Sequence, residues 1–160
     1  MEAKAFLETS QYLAFRLGEE VFAFDISKVR EVLEFSSITK VPQTPEMMKG
    51  VINLRGAVVP VIDMRIKFGM SETETTVNTV IIITEIELEN ESIMLGALVD
   101  SVQEVIDLDS EHIEPAPKIG TRLNTDFIKG MGKHNDQFLI ILDIEKIFST
   151  EELEIVQNAG

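Results

Sequence analysis

The sequence predicts a mainly β fold: two small barrels, side by side, produced by an internal duplication. Two observations carry this. Short apolar-rich segments recur along the chain between turn residues, at roughly 8–12-residue spacing, as in all-β barrels and sandwiches. And a stretch from the middle of the chain reappears near its end: "KGVINLRGAVVPVIDMRIKF" (Lys49–Phe68) aligns without a gap on "KGMGKHNDQFLIILDIEKIF" (Lys129–Phe148).

The elements follow in order. "QYLAFRL" and "VFAFDI", joined by "GEE", form a first hairpin with Gly18 at the turn. "VREVLEF" is a strand. "VINL" and "AVVPVID" are the arms of a second hairpin around Arg55-Gly56. Pro60 has no N–H to give a ladder, which predicts an edge strand or a bulge there. "NTVIIITEIEL" and "IMLGALVD" form a third hairpin across "ENES", and "SVQEVIDL" and "QFLIILDI" complete the strands. Helices are short. "TPEMMKG" has Thr44 as N-cap, Pro45 at the first helical position and Gly50 as stop. "NTDFIKG" repeats the plan with Asn124 and Gly130. "STEELEIV" opens with Ser149 and Glu152 at capping-box spacing and predicts a C-terminal helix.

In the repeat, Lys49, Gly50, Asp63 and Phe68 match Lys129, Gly130, Asp143 and Phe148. Upstream, Val29, Glu31 and Val32 of "SKVREVLE" match Val102, Glu104 and Val105 of "DSVQEVID". The division that results is residues 14–70 for the first barrel, 78–148 for the second and 149–160 for the C-terminal helix and tail. Features present in both copies are structural: the two glycines stop helices, and Asp63 and Asp143 cap the turn after a strand. Features present in one copy need another reason. The first tip reads Asn53-Leu54-Arg55-Gly56-Ala57, the second Lys133-His134-Asn135-Asp136-Gln137. An Arg-Gly tip is therefore not a requirement of the fold. Arg55 is either a contact for a partner, with Asn53 and Gly56 beside it, or is held by a carboxylate of its own chain.

Composition excludes several classes. A net charge of −14 opposes binding to nucleic acid or to anionic membrane surfaces. No cysteine is present, which removes disulfides, thiolate metal sites and cysteine nucleophiles. The apolar runs "AVVPVI" and "VIIIT" are too short to span a bilayer, and no signal peptide is visible, so the expected location is the cytoplasm. The two histidines lie in different segments, and no metalloprotease, nucleophile-elbow, dinucleotide or P-loop pattern occurs. "KGMGKH" lacks phosphate-loop spacing and reads as a helix stop and turn. "DLDSEH" lacks the glycine and closing glutamate of a calcium loop. No catalytic residue, cofactor or metal is expected.

The strand "VREVLE" alternates so that Val29, Glu31 and Leu33 share one face and Arg30, Val32 and Glu34 the other. A valine between an arginine and a glutamate is an exposed valine, and Val105, between Gln103 and Asp107, repeats the pattern. Scattered surface valines are common. Their presence in both copies points to an apolar groove between the barrels, bordered by Val29, Val32, Val102 and Val105.

These residues resemble a known family. "KGVINLRGAVVPVIDMRIKFG" is similar to the most recognisable segment of the CheW-like family of bacterial chemotaxis coupling proteins, and "FRLGEEVFAFDISKVREV", "GALVDSVQEVI" and "IEPAPKI" fit it in order and spacing, from about Tyr12 to Phe148. The resemblance implies two SH3-like five-stranded barrels around a shared core. It implies a scaffold that ties the cytoplasmic tip of chemoreceptors to the histidine kinase CheA, with no reaction and no cofactor. The same domain occurs in the regulatory end of that kinase and in CheV proteins. With no receiver domain after Gly160 and no kinase region before Met1, the stand-alone form is the best match. Carried over residue by residue, the resemblance places the family's functional arginine on Arg55. It places receptor contacts on Val29 and Glu31 and, in the second barrel, on Val102 and Val105 beside Gly96. The competing expectations are an SH3-like binding module outside chemotaxis and a small β-barrel enzyme or small-molecule binder.

Overall fold

The computed structural model describes residues 9–88, 90–114, 127–148 and 152–154. Its strands are β1 (Thr9–Leu17), β2 (Glu20–Asp25), β3 (Val29–Glu34), β4 (Met48–Leu54), β5 (Ala57–Asp63), β6 (Val80–Leu88), β7 (Glu91–Val99), β8 (Ser101–Asp109), β9 (Ile113–Glu114), β10 (Ile128–His134) and β11 (Gln137–Leu142). They form two sheets, ordered β8-β1-β2-β11-β10-β9 and β3-β6-β7-β5-β4. In the second of these, the residue Thr39 after β3 bridges to Val51 of β4, just as β9 after β8 pairs with β10. One chain segment thus touches both edges of its sheet, so each sheet must curl around an interior.

The sheets are copies strand for strand. The parallel pairing of Val61–Asp63 with Gly96–Leu98 is repeated by Ile140–Leu142 with Phe22–Phe24. Their membership, however, cuts across the division at 14–70 and 78–148. Residues 29–99 supply one sheet, and residues 9–25 with 101–142 supply the other. Each repeat unit gives its first hairpin to the sheet of the other. The chain crosses between sheets twice, at Ile26–Lys28 and at Asp100.

This exchange explains why strand segments such as "VFAF" and "VIII" are apolar on both faces. Val21 and Ala23 face the interior of one sheet with Tyr12, Ile106, Leu139 and Ile141. Ile81 and Ile83 face that of the other with Ile52, Val59, Val61 and Leu98. Alternate residues of the same strands, Phe22, Phe24 and Ile82 among them, meet in a core shared by both sheets. The C-terminal end joins it through Phe148 and Leu153, and residues 152–154 are helical, as expected of that segment. The start of that helix and the Asn124 cap lie outside the described residues.

Several local expectations need correction. "TPEMMKG" is not a helix: Thr44 bonds back to the Val41 carbonyl, Met48 N–H donates to Pro45 in a turn, and β4 begins at Met48. Likewise "IKG" of the second copy is strand, so "KGMGKH" runs along β10 rather than stopping a helix. The two glycines instead sit at matched bulges, between Met48 and Gly50 and between Ile128 and Gly130. A Cβ on Gly50 would collide with the Thr39 carbonyl oxygen, and one on Gly130 would lie 2.6 Å from Ile113 and 2.9 Å from the Glu114 carbonyl. Both glycines therefore admit the bridging segment that curls the sheet.

Pro60 is on neither an edge strand nor a bulge, because β5 lies between β7 and β4. Its partner Val51 spends its N–H and carbonyl on Thr39, which turns the Pro60 nitrogen away from β4. On that other side the β7 ladder begins only at Val61, so no ladder bond is lost. The capping role of the two aspartates is observed: Asp63 accepts from Arg65 N–H at the helix Met64–Lys67, and Asp143 from Glu145 N–H at the helix Ile144–Ile147.

Candidate functional site: a partner-binding surface

The site is built on β3 and the β4–β5 tip, which stand at opposite edges of the hydrogen-bonded order. The curl of the sheet brings them together. Arg55 donates through Nη1 to Glu31 Oε1 at 3.4 Å and through Nη2 to Glu31 Oε2. Hydrogen bonding to Arg55 holds the Glu31 carboxyl below the usual carboxylate range, and the same pairing raises Arg55. The intramolecular carboxylate considered for Arg55 is thus Glu31, itself a candidate contact. The arginine side chain remains 71% exposed, so most of its surface stays open.

The tip backbone accounts for its neighbours. Arg55 and Gly56 have φ of 50° and 90°, both left-handed, as a two-residue hairpin turn requires. Asn53 accepts a hydrogen bond from Gly56 N–H at 2.9 Å and locks the tip. Nothing lies within 4 Å of where a Gly56 side chain would begin, so the glycine serves the turn and leaves the approach clear.

A second feature was not legible from period-2 alternation. β3 carries a bulge at Arg30, since Val29 pairs with Thr84 and Glu31 with the adjacent Ile83. The extra residue changes the parity of the strand. Val29 therefore shares a face with Val32, not with Leu33: Val29 packs on the shared core, and Leu33 on the sheet's own interior. The same bulge occurs in β8, where Val102 and Val105 oppose Phe15 and Leu13. Phe15 and Leu13 belong to the shared core, and Val102 packs against it. Val32 and Val105 are 39% and 48% exposed. All four valines thus lie on the faces that bracket the core between the sheets, two on each edge strand.

Gly96 departs from expectation. It is buried in β7, and a Cβ there would sit 2.8 Å from Ile81 and 3.3 Å from Val61. It offers no surface to a partner; it permits close packing beneath the site. Among the described residues no group of three His, Cys, Asp or Glu side chains is placed to hold a metal ion. Likewise no described helix is long and apolar enough to cross a membrane.

The family model of the CheW-like domain matches residues 11–152. The chain belongs to the CheW-like family. Chemotaxis protein CheW of Klebsiella aerogenes is 39% identical over 150 residues, covering 94% of this chain and 88% of that protein. CheW of Thermotoga maritima is 31% identical over 155 residues, covering 95% of each. Among solved structures, the scaffolding protein TtCheW of Thermoanaerobacter tengcongensis superposes with a TM-score of 0.78 at 38% identity, covering 89% of this chain and 90% of that one. This protein is accordingly a chemotaxis adaptor of the CheW-like family.

Proposed function

We propose that this adaptor ties chemoreceptor cytoplasmic tips to the regulatory domain of the histidine kinase CheA, so that receptor state controls kinase autophosphorylation. The observation that carries it is the convergence of Glu31 and Arg55 on the curled edge that exposes Val32, with Val105 exposed on the matching edge of the other sheet, in a member of the CheW-like family. An apolar strip with a directed guanidinium next to it suits a helix laid along the surface. The valines give area to be buried. Arg55 offers several donors in a fixed plane, able to exchange Glu31 for an acidic group or carbonyls of a partner. Such a role needs neither turnover nor cofactor, and it places the protein in the cytoplasm at receptor arrays. There many weak contacts add through linkage.

The test is reconstitution of receptor-tip fragments, CheA and this chain, with kinase autophosphorylation as the readout. The expected result is activation by receptor that depends on adding this chain. Equal activity with and without it contradicts the proposal. In the same mixture Val105→Asp should weaken assembly, because a charge would enter a dry contact, while the thermal midpoint stays unchanged.

A further inference from the structure

Two carboxylates sit where the chain passes from one sheet to the other, and they are built alike. Asp100, at one crossing, accepts from Arg65 of the helix Met64–Lys67 and from the Gly18 amide of the β1–β2 turn. Glu145, in the helix Ile144–Ile147, accepts from Lys28 at the other crossing and from the Glu87 amide of β6. Each cluster therefore joins parts of both sheets. Their strengths differ. Arg65 grips Asp100 through Nη2 and through Nε at 2.8 Å, both side chains are 22% exposed, and the Gly18 bond is 2.7 Å long. Lys28 reaches Glu145 with its one nitrogen at 3.1 Å, the two side chains are 35% and 36% exposed, and the Glu87 bond is 3.3 Å long. The helix that carries Arg65 also holds the C-terminal segment, through Lys67 and Glu152. A cavity of about 140 Å³, lined by Asp25, Lys28, Leu142 and Glu145 among others, lies at the weaker cluster.

We propose that Glu145 is a positioning residue for the groove: its contact with Lys28 is the release point of a hinge whose pivot is the Arg65–Asp100–Gly18 cluster. Lys28 immediately precedes Val29, and Asp100 stands two residues before Val102, so the two clusters anchor the strand edges that border the groove. Val29 and Val102 are only partly open, because they pack against the shared core. A helix that covers them must part the edges, and the movement goes to the weaker joint. There a single hydrated pair gives way into space already present. The shared core follows at little cost, since it includes Met47, Met48 and Met64, side chains that repack readily. Hydrogen bonding to Lys28 holds the Glu145 carboxyl below the usual carboxylate range, so the pair is ionic at neutral pH and must be broken. Part of the docking energy is spent on it, as whenever the binding-competent state is the less populated one.

The inference rests on the adaptor reading, and one set of measurements separates the two. Amide hydrogen exchange and calorimetric binding of a receptor-tip fragment are measured on the full chain for the parent, Glu145→Gln and Lys28→Gln. Glutamine at 145 keeps an acceptor for the Glu87 amide and removes only the charge. The two variants open the same contact while changing the net charge in opposite directions. Both should speed exchange in residues 26–34 and leave the Gly18 amide protected as in the parent. Both should also tighten binding of the fragment about three- to fivefold, the range that an exposed ion pair can supply, because docking no longer has to break the pair. A residue that only supported the fold would give weaker or unchanged binding instead. Parent-like or weaker binding by both variants, or unchanged exchange in residues 26–34, overturns the hinge and leaves the adaptor reading standing. Opposite changes in the two variants overturn it as well, by reducing the effect to net charge. Failure of the parent chain itself to bind the fragment overturns both.

Discussion

The two hairpin tips, Asn53–Ala57 and Lys133–Gln137, have nearly the same turn and different chemistry. Residues 55 and 135 have φ of 50° and 51°, and residues 56 and 136 have φ of 90° and 63°. Asparagine and aspartate tolerate this left-handed region better than most residues, and glycine does so freely. The second tip, Asn135-Asp136, therefore follows what the backbone asks. The first puts arginine where asparagine would be easier. The comparison teaches that Arg55 is placed against local preference, which is how a residue kept for contact differs from one kept for folding.

The same comparison extends to the bulges, where the largest effect is expected. Gly50 has φ of 153° and a Cβ there would collide with the Thr39 carbonyl, whereas Gly130 has no positive φ and its nearest backbone neighbour, the Glu114 carbonyl oxygen, would lie 2.9 Å away. Gly50→Ala should cost about 3 kcal/mol or more and Gly130→Ala about 1–2 kcal/mol, read from denaturant unfolding. Equal costs would mean that the two bulges are not constrained as their surroundings indicate.

The crossings between sheets sharpen it next. After β5, Arg65 pairs with Asp100 at one crossing; after β11, Glu145, 80 positions on (145 − 65 = 80), pairs with Lys28 at the other, with the charges reversed. The first pair is the better covered, and Asp100 also accepts from Gly18 N–H at 2.7 Å, tying the β1–β2 turn to the crossing between the sheets. Burial works against the Asp100 charge, but Arg65 and the Gly18 amide outweigh it and leave the carboxyl below its usual range. A lowered carboxyl stabilises the fold above the unfolded-state pKa and loses that contribution as pH falls through the folded-state value. Asp100→Asn should thus cost about 2 kcal/mol at neutral pH, and the gap to the parent should close as pH falls below about 4. Glu145→Gln, at a more exposed pair, should cost less than about 1 kcal/mol. A gap for Asp100→Asn that does not narrow in acid would show that the ion pair is not its source.

Most of the strands and the duplication were legible because alternation and turn residues report locally, as in "VFAFDI" and in the aligned "VINLRGAVVPVID" and "GMGKHNDQFLIIL". The hairpin exchange was not, because sheet membership is decided by long-range pairing such as β2 with β11, for which alternation has no register. "TPEMMKG" misled because Pro and Gly also mark turns and bulges, and the bridge from Thr39 overrides the cap signal. Of the candidate site, Arg55, Asn53 and Gly56 could be read from the contrast between copies, and the valines from their recurrence in both. The Glu31–Arg55 pair could not, because it depends on two sheet edges meeting. Gly96 lies buried although the resemblance sets it beside the contact valines, because a resemblance carries a position without its burial.

The central claim is that Arg55 serves coupling and the fold does not need it. Arg55→Asn makes the first tip resemble the second and tests this most directly, with unfolding midpoint and receptor-dependent CheA activation measured on the same preparation. The account predicts a midpoint equal to or above the parent's, since asparagine suits the left-handed turn, together with a large loss of activation. Full activation with a normal midpoint would contradict it, as would a lowered midpoint that accounts for the lost activity.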